Sequence, residues 1–325
     1  MTSTIAPTDD DFLLSVEPLR RELTAHCYRM LGSVHDAEDL VQETYLRAWR
    51  AFHGFENRSS VRTWMYQIAT NVCLTALQSK GRRPLPTGLG QPASDPSGLL
   101  ESRPEVSWLE PMPDSVLWGH PDVDPANEVV SRESVRLAFV AALQHLTPQQ
   151  RAVVIFRDVL AWQASEVATA LGMTTVGVNS TLQRARARLA QLDPEAPVTL
   201  DDEHAESMLK DYVAAFEDYD VSRIVDLLTA DAVWEMPPFT GWYVGAESIG
   251  QLIATQCPAT GPDSMRLVQT SANGQPAFGV YMRDHEGVHR AFQLQQLTLS
   301  PTGVSHVTAF FDTSLFAAFG LPETL

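Results

Sequence analysis

The chain has 325 residues, 44% of them hydrophobic and 8% aromatic, and a formal net charge of -17. That length suits two or three modules rather than one, and no run of eighteen apolar residues offers a membrane-spanning helix. The polar, acidic start "MTSTIAPTDDDF" lacks the build of a signal peptide. Cys27, Cys73 and Cys257 stand at no metal-ligand spacing, so reduced thiols of a cytoplasmic protein are expected, with no metal and no cofactor. The acid is unevenly placed: residues 1–83 are neutral, 84–131 carry -7, 132–199 carry +2 and 200–325 carry -12. Separate segments therefore have separate partners, and the overall acidity does not exclude nucleic acid.

Residues 12–83 predict helices. Leu19, Leu23, Cys27, Met30 and Leu31 recur at three- and four-residue spacing, and the pattern resumes over Ala37–Trp49 and Val61–Leu77. In "HDAEDLVQETYLRAW", Ala37, Leu40, Val41, Thr44 and Ala48 form a packing stripe, while Asp39, Glu43, Arg47 and Arg50 share a polar one. Asp39 and Glu43 repel at i,i+4. A basic partner surface would explain that cost, and a solvated charged face is the alternative. In "SSVRTWMYQIATNVCLTALQSKGRR", Trp64, Tyr66, Asn71, Lys80, Arg82 and Arg83 interleave aromatic, amide and basic groups, which suits unstacked bases. Trp64 taken alone reads as core.

Nine prolines between 84 and 130 exclude a continuous helix or central strand and mark an acidic linker. Its Trp108 and Trp118 predict that "WLEPMPDSVLW" docks rather than hangs in solvent. Residues 132–191 return to helical periodicity, and "QASEVATALGMTTVGVNSTLQRARAR" has the grammar of a helix-turn-helix around Gly172. Val178, Leu182, Ala185 and Leu189 form its buried stripe. Val176, Asn179, Ser180 and Gln183 face outward, suited to base edges in a major groove. Arg184 and Arg188 lie on one shoulder and Arg186 on the other, placed for phosphates on both groove walls. An ordinary amphipathic helix with solvated arginines is the alternative. Beyond residues 203–229, which predict one or two helices, "AVWEMPPF", "FGVYMR", "AFQLQQLTL" and "VTAFFD" read as strands of an α+β domain.

In this order, the segments resemble the extracytoplasmic-function (group 4) sigma factors of bacterial RNA polymerase. "RMLGSVHDAEDLVQETYLRAWRAF" looks like region 2.1–2.2, which implies binding to the β′ clamp through Asp39, Leu40, Gln42, Glu43 and Arg47. "FENRSSVRTWMYQIATNVCLTAL" resembles the segment that melts and reads the -10 element, implying roles there for Arg62, Trp64, Asn71, Lys80, Arg82 and Arg83. "LTPQQRAVVIFRDVLAWQASEVATALGMTTVGVNSTLQRARARL" resembles region 4, the -35 reader that also meets the β flap. Its family contacts match Asn179, Ser180, Gln183 and Arg184, on the face that helical geometry selects. The family often has arginine where Gln78 stands. Residues 204–325 resemble the SnoaL-like and ketosteroid isomerase superfamily, and "WLEPMPDS" resembles the linker of sigma factors fused to it, notably the sigma-G-like branch.

These resemblances imply a multidomain chain: region 2 helical bundle over 12–83, Pro-rich linker over 84–130, region 4 helix-turn-helix over 131–192, and an α+β cone barrel of SnoaL-like (NTF2-like) type over 203–325. Tyr212 matches the tyrosine of the isomerases, but Met236 stands where their base would be and cannot take a proton. Tyr212, Trp234, Met236, Trp242, Tyr243 and Phe292 are the pocket candidates, while Glu235, His289, His306 and Asp312 remain as acid–base groups for a hydrolase or cyclase. The expectation is a sigma factor and not an enzyme, controlled in cis by its acidic C-terminal domain. Polymerase core and promoter DNA are its expected partners, with an unidentified small ligand for that domain, no membrane and no dedicated anti-sigma factor. A polymerase-independent DNA-binding regulator is the second reading and a SnoaL-type enzyme the third.

Overall fold

A computed structural model describes residues 9–52, 54–55, 59–79, 81–118, 132–192 and 202–325. Packing divides the chain into two compact units, one holding the residues up to Arg83 with Asp114–Pro194, the other Pro84–Pro113 with Glu195–Leu325.

The first unit is helical: α1 (Asp9–Val16), α2 (Arg20–Leu31), α3 (Val34–Phe52), α4 (Val61–Leu77), α5 (Asp114–Trp118), α6 (Leu137–Leu143), α7 (Pro148–Val154), α8 (Ala164–Leu171) and α9 (Thr175–Leu189). Local chemistry sets the ends. Gly32 takes φ 71° to close α2, a conformation that costs glycine little. Ser60 Oγ accepts from Thr63 N at the start of α4, and Thr147 with Gln150 makes a reciprocal capping box ahead of α7. The short α5 packs on α2, where Trp118 O accepts from Arg21 Nη1 at 3.3 Å and the Arg132 guanidinium lies over the Trp118 ring.

The two helical segments that the sequence presents as separate modules share one core. Phe156 and Trp162, their ring centroids 4.5 Å apart, pack against Tyr66 and, through Phe156, against His26. Arg29, 1% exposed, donates to Ser134 O at 2.9 Å and Ser134 Oγ at 2.7 Å. Arg151, 3% exposed, donates to Leu143 O, Gln144 Oε1, Leu146 O and, across from α7 to α2, to Met30 O. Burial holds both guanidiniums down to about 10, and they stay charged. Helical periodicity marks the buried faces but not which helix covers them, so this shared core is absent from the sequence reading. The thiols of Cys27 and Cys73 are buried together on α2 and α4, and their mutual hydrogen bond and burial raise the Cys73 thiol well above its ordinary range.

The second unit is a six-stranded sheet with four helices: α10 (Asp202–Glu217), α11 (Val221–Leu227), β1 (Leu228–Glu235), β2 (Trp242–Val244), α12 (Ala246–Gln256), β3 (Met265–Ala272), β4 (Gln275–Arg283), β5 (His289–Ser300), β6 (Gly303–Phe310) and α13 (Leu315–Ala318). The strand order is β2-β1-β6-β5-β4-β3, with β1 and β6 parallel and the other pairs antiparallel. Asn273 at φ 57° and Gly274 at φ 71° turn β3 into β4, the two positive φ values that a tight hairpin demands. The edge strands β2 and β3 escape the sequence reading, because β2 has three residues and β3 interrupts its apolar pattern with Arg266 and Gln269.

The larger, N-terminal part of the Pro-rich segment, 84–113, belongs to this unit as a strap. The fully buried Glu235 carboxylate accepts from Thr87 N and Thr87 Oγ1 at 3.1 and 3.0 Å, and its other oxygen meets His306 Nε2 at 2.8 Å. Further along, Ser94 N donates to Trp242 O, Thr240 N to Glu101 O and Arg103 N to Pro238 O. At its far end Met112 N donates to Asn273 Oδ1, and Asn273 N donates to Met112 O. "WLEPMPDSVLW" is therefore divided, with Trp108–Pro113 in the sheet unit and Asp114–Trp118 in the helical one.

His26 gives the helical core a pH signature. Thr70 Oγ1 spends its single proton on Tyr66 O at 2.7 Å, so it accepts from His26 Nε2–H at 2.9 Å, and the neutral ring leaves Nδ1 bare in the core. Burial, then the Arg29 charge, lowers the imidazole from 6.5 to about 3. The unfolded chain takes that proton near 6.5 and the folded one does not. The stability from this group is thus complete above pH 6.5 and is lost as pH falls toward 3, by up to ~1.4 kcal/mol per unit. Urea unfolding of His26→Gln, which keeps a donor at the same reach but does not titrate, is expected to depend less steeply on pH below 6.5 than the native chain. Equal slopes would exclude His26 as the source.

Candidate polymerase and nucleic-acid interfaces

The outward face of α9 begins at a built helix start. Gly172 at φ 63° ends α8, and Thr174 Oγ1 accepts from Gly177 N at 3.0 Å to cap α9. Val178, Thr181, Leu182 and Ala185 face the core, while Val176, Asn179, Ser180, Gln183, Arg184, Arg186 and Arg188 are exposed. Val176 stands 76% exposed at the leading end. The arginines differ in what holds them. Arg186 is engaged by Asp158 in a two-pronged ion pair, with Nε to Oδ2 at 3.0 Å. Arg184 touches Thr181 Oγ1 at 3.3 Å and Arg188 meets Gln191 Oε1 at 3.2 Å, both neutral oxygens. The shoulder with Arg184 and Arg188 therefore carries the available charge, an asymmetry the sequence does not reveal because Asp158 lies 28 residues away.

On α4 the structure separates the candidates for the -10 element. Asn71 is exposed on the helix surface, and Arg82 is exposed beyond its C-terminus. Burial first, then Arg188, lowers the Arg82 guanidinium, and the same two arginines lower the half-buried His145 after burial does. The basic ends of α4 and α9 thus feel each other. Trp64 is half-buried and stacks on Phe55 with centroids 4.7 Å apart. Two candidates are spent inside the unit. Arg62 binds Glu22 at 2.7 Å beneath the Tyr66 hydroxyl, which donates to the same carboxylate, and Arg83, 13% exposed, binds Asp36 at 2.7 Å. They brace α4 and the end of the segment rather than present charge outward. Lys80 lies outside the described residues.

On α3, Asp39, Gln42 and Arg47 are exposed, Leu40 and Glu43 half-buried, and Arg47 Nε donates to Glu43 Oε1 at 2.6 Å. The same face carries Leu46 and Trp49, 49% and 47% exposed. Sequence reasoning passed over both. Their signal was available: Leu46 lies seven residues after Asp39, and so on the polar face, where an apolar side chain has no core to fill. Exposed apolar groups rimmed by polar and charged residues suit a protein-binding surface.

In the sheet unit, Trp234, Met236 and Phe292 line a cavity of about 320 Å³. Tyr212 lies behind it, fully buried, donating its hydroxyl to Gln295 Oε1 at 2.9 Å. Trp242 and Tyr243 do not line it. They sit on the edge strand β2 against the strap, where Trp242 Nε1 donates to Gln91 O and Tyr243 borders a separate recess with strap residues 91–101. The acid–base candidates are occupied elsewhere: Glu235 and His306 by the strap anchor, His289 by Asp263 O, and Asp312 by Ser314.

Comparison with known proteins identifies the family. The chain matches the Sigma-70 region 2 family over residues 16–83, the Sigma-70, region 4 family over 136–189 and the SnoaL-like domain family over 209–312. The ECF RNA polymerase sigma factor SigG of Mycobacterium tuberculosis is 58% identical over 325 residues, spanning 98% of this chain and 87% of that protein. SigJ of the same organism is 29% identical over 223 residues, 67% of this chain and 62% of its own. The crystal structure of SigJ is similar over 95% of this chain and all of that one, with a TM-score of 0.63 at 21% identity, a likeness of fold.

Releasing Arg186 tests the α9 asymmetry. Asp158→Asn is expected to change unfolding free energy by less than about 1 kcal/mol, as exposed ion pairs do. It should raise duplex-DNA affinity at low salt and steepen the log K against log salt slope by about 0.9, read by fluorescence anisotropy. An unchanged slope would place Arg186 away from the phosphates.

Proposed function

The chain belongs to the extracytoplasmic-function RNA polymerase sigma factors, and from that premise we propose how its parts divide the work. It is a transcription initiation factor acting with RNA polymerase and promoter DNA, and not an enzyme. In the proposed division, the α3 face with Asp39, Leu40, Gln42, Glu43, Leu46, Arg47 and Trp49 meets the β′ clamp, and the region 4 helices meet the β flap. Trp64, Asn71, Lys80 and Arg82 work at the -10 element. Val176, Asn179, Ser180, Gln183, Arg184 and Arg188 read the -35 element, with Arg186 joining once it leaves Asp158. The observation that carries this is the row of amide and hydroxyl groups on α9, bordered on one shoulder by Arg184 and Arg188, whose partners are neutral.

The shared helical core is, on this reading, a resting state. Elements centred near -35 and -10 lie about 25 base pairs apart, about 85 Å of duplex at 3.4 Å per pair. A compact unit of roughly 160 residues has a radius of gyration of about 15 Å, so α4 and α9 cannot reach both elements while packed together. Polymerase and promoter together supply the free energy that parts them. The SnoaL-like unit modulates this step in cis, through a bound small molecule and without a separate anti-sigma protein, in the cytoplasm where the polymerase works.

Transcription from a cognate promoter with purified core polymerase tests the assignment. Arg184→Ala is expected to weaken promoter binding by about 1–3 kcal/mol if it reads a base, and to lower the salt slope by about one if it meets a phosphate. Leu46→Asp is expected to abolish core binding while leaving duplex binding by α9 intact. Undiminished transcription by the Leu46 variant would remove α3 from the polymerase interface.

A further inference from the structure

Two hydroxyls of the sheet unit point toward one space without hydrogen-bond partners. The strap is fastened along the β2 edge at two places, where Ser94 N donates to Trp242 O at 2.8 Å and Thr240 N to Glu101 O at 2.9 Å. These fastenings border a recess of about 340 Å³, separate from the apolar cavity and lined by Ser94, Asp95, Glu101, Thr240, Gly241 and Tyr243. Tyr243 is 2% exposed, and neither its hydroxyl nor Ser94 Oγ has a hydrogen-bond partner among the described residues. A methyl group built on Gly241 would stand 3.0 Å from Tyr243 Oη and 3.2 Å from Ser94 Oγ, so both hydroxyls face the space that this glycine leaves open. Gly241 does not take a positive φ, so its missing side chain serves room and not backbone conformation. Native proteins rarely leave the hydroxyl of so buried a side chain unbonded.

Charge selects the occupant. Asp95 forms no ion pair with any described residue, and its Oδ1 accepts from Ser97 N at 2.9 Å, which leaves Oδ2 for a further donor. Glu101 meets Arg103 at 2.7 Å in an exposed pair, a weak hold. Burial first, then the Asp95 charge, pushes the Tyr243 hydroxyl above its ordinary range, so it is neutral, lies near that carboxylate and offers its oxygen as an acceptor. An anion would meet two carboxylates here. A calcium or magnesium ion takes six or more oxygen ligands, and no group of three acidic, histidine or cysteine side chains gathers among the described residues. Pro92 and Leu99 add apolar wall beside the acceptors.

We propose that this recess binds an organic ammonium ion on a short methylene stem, its N–H groups donating to Tyr243 Oη, Ser94 Oγ and the Asp95 carboxylate, and that the bound amine clasps the strap to β2. Three donors then meet three acceptors. The proposal rests on the reading of this unit as a ligand-dependent regulator and supplies a ligand class. An amine held by Asp95 and Ser94 of the strap and by Tyr243 of β2 binds only the fastened form. It therefore multiplies the fastened-to-free ratio by one plus its concentration over Kd, about tenfold at 10 Kd.

The test titrates the full-length chain with 1,4-diaminobutane by isothermal calorimetry, and saturable binding at one site is expected. Uncharged 1,4-butanediol should bind at least about tenfold more weakly. So should magnesium at matched ionic strength, which feels the net charge of -17 but does not fit the recess. Asp95→Asn and Tyr243→Phe should each weaken the diamine about tenfold, the loss expected for one hydrogen bond to a charged group. Tyr243→Phe breaks no hydrogen bond within the described chain, so its urea midpoint should match the native one, separating lost binding from lost fold. Gly241→Ala, which fills the space between the hydroxyls, should abolish binding. Hydrogen exchange across residues 91–101 should slow up to about tenfold at 10 Kd. Absent binding, equal binding by magnesium, or both the Asn and Phe variants binding as the native chain does would overturn the site, and binding without slower exchange would overturn the clasp. Failure of the site leaves the regulatory reading standing, whereas binding with slower exchange and unchanged promoter transcription would strike that reading and leave the site.

Discussion

Two arginine side chains with almost no exposed surface hold the helical unit together. Arg29 on α2 ends on Ser134, and Arg151 on α7 ends on the carbonyl of Met30, so each crosses between segments far apart in sequence. Both keep their charge and meet carbonyl or hydroxyl oxygens, bonds strong enough to offset desolvation only while every partner stays in place. Around them His26, Tyr66, Phe156 and Trp162 complete a core that joins the region 2 and region 4 segments. Such an interface is suited to switching. It is specific when closed, and once one contact parts, the buried cations favour solvent and the rest follow.

The connection between those segments is not an idle tether. Residues 84–113 run through the sheet unit, pinned at the start by the buried Glu235 carboxylate and at the end by Asn273. The chain that links α4 to α9 therefore passes through the C-terminal unit. The strap also closes part of the apolar cavity of that unit, whose wall includes Leu100. The acid of the sheet unit and strap, first visible as an uneven charge distribution, accompanies this arrangement without being needed to explain it.

Much of this was legible in the sequence. The periodicity of 12–83 and 132–191, the turn at Gly172 and the outward face of α9 follow from local rules, and the departures are small: Leu40 and Leu189, expected in buried stripes, are half-buried. Composition also marked "WLEPMPDSVLW" as too aromatic for a free tether. What escaped depends on contacts between distant residues. Arg62, Arg83 and Arg186 look alike on paper as phosphate ligands, yet each faces a carboxylate supplied by another helix or turn. Trp242 and Tyr243 belong with the strap because β2 is an edge strand, and strand order is not written in a three-residue run. Leu46 and Trp49 were visible as apolar residues on a polar face, but only their exposure in the folded chain separates a candidate interface from a slightly wide packing stripe.

The central claim, that the packed helical unit is a resting form which opens to engage a promoter, is a claim about one distance. Spin labels at Thr75→Cys, on the exposed surface of α4, and Ala190→Cys, just past α9, report it by pulsed electron resonance. The free chain should give a single distribution below about 40 Å, as a unit of this size requires. In a complex with core polymerase on promoter DNA it should lengthen toward the roughly 85 Å that separates the two elements. A complex that initiates transcription with the short distance unchanged would contradict the account.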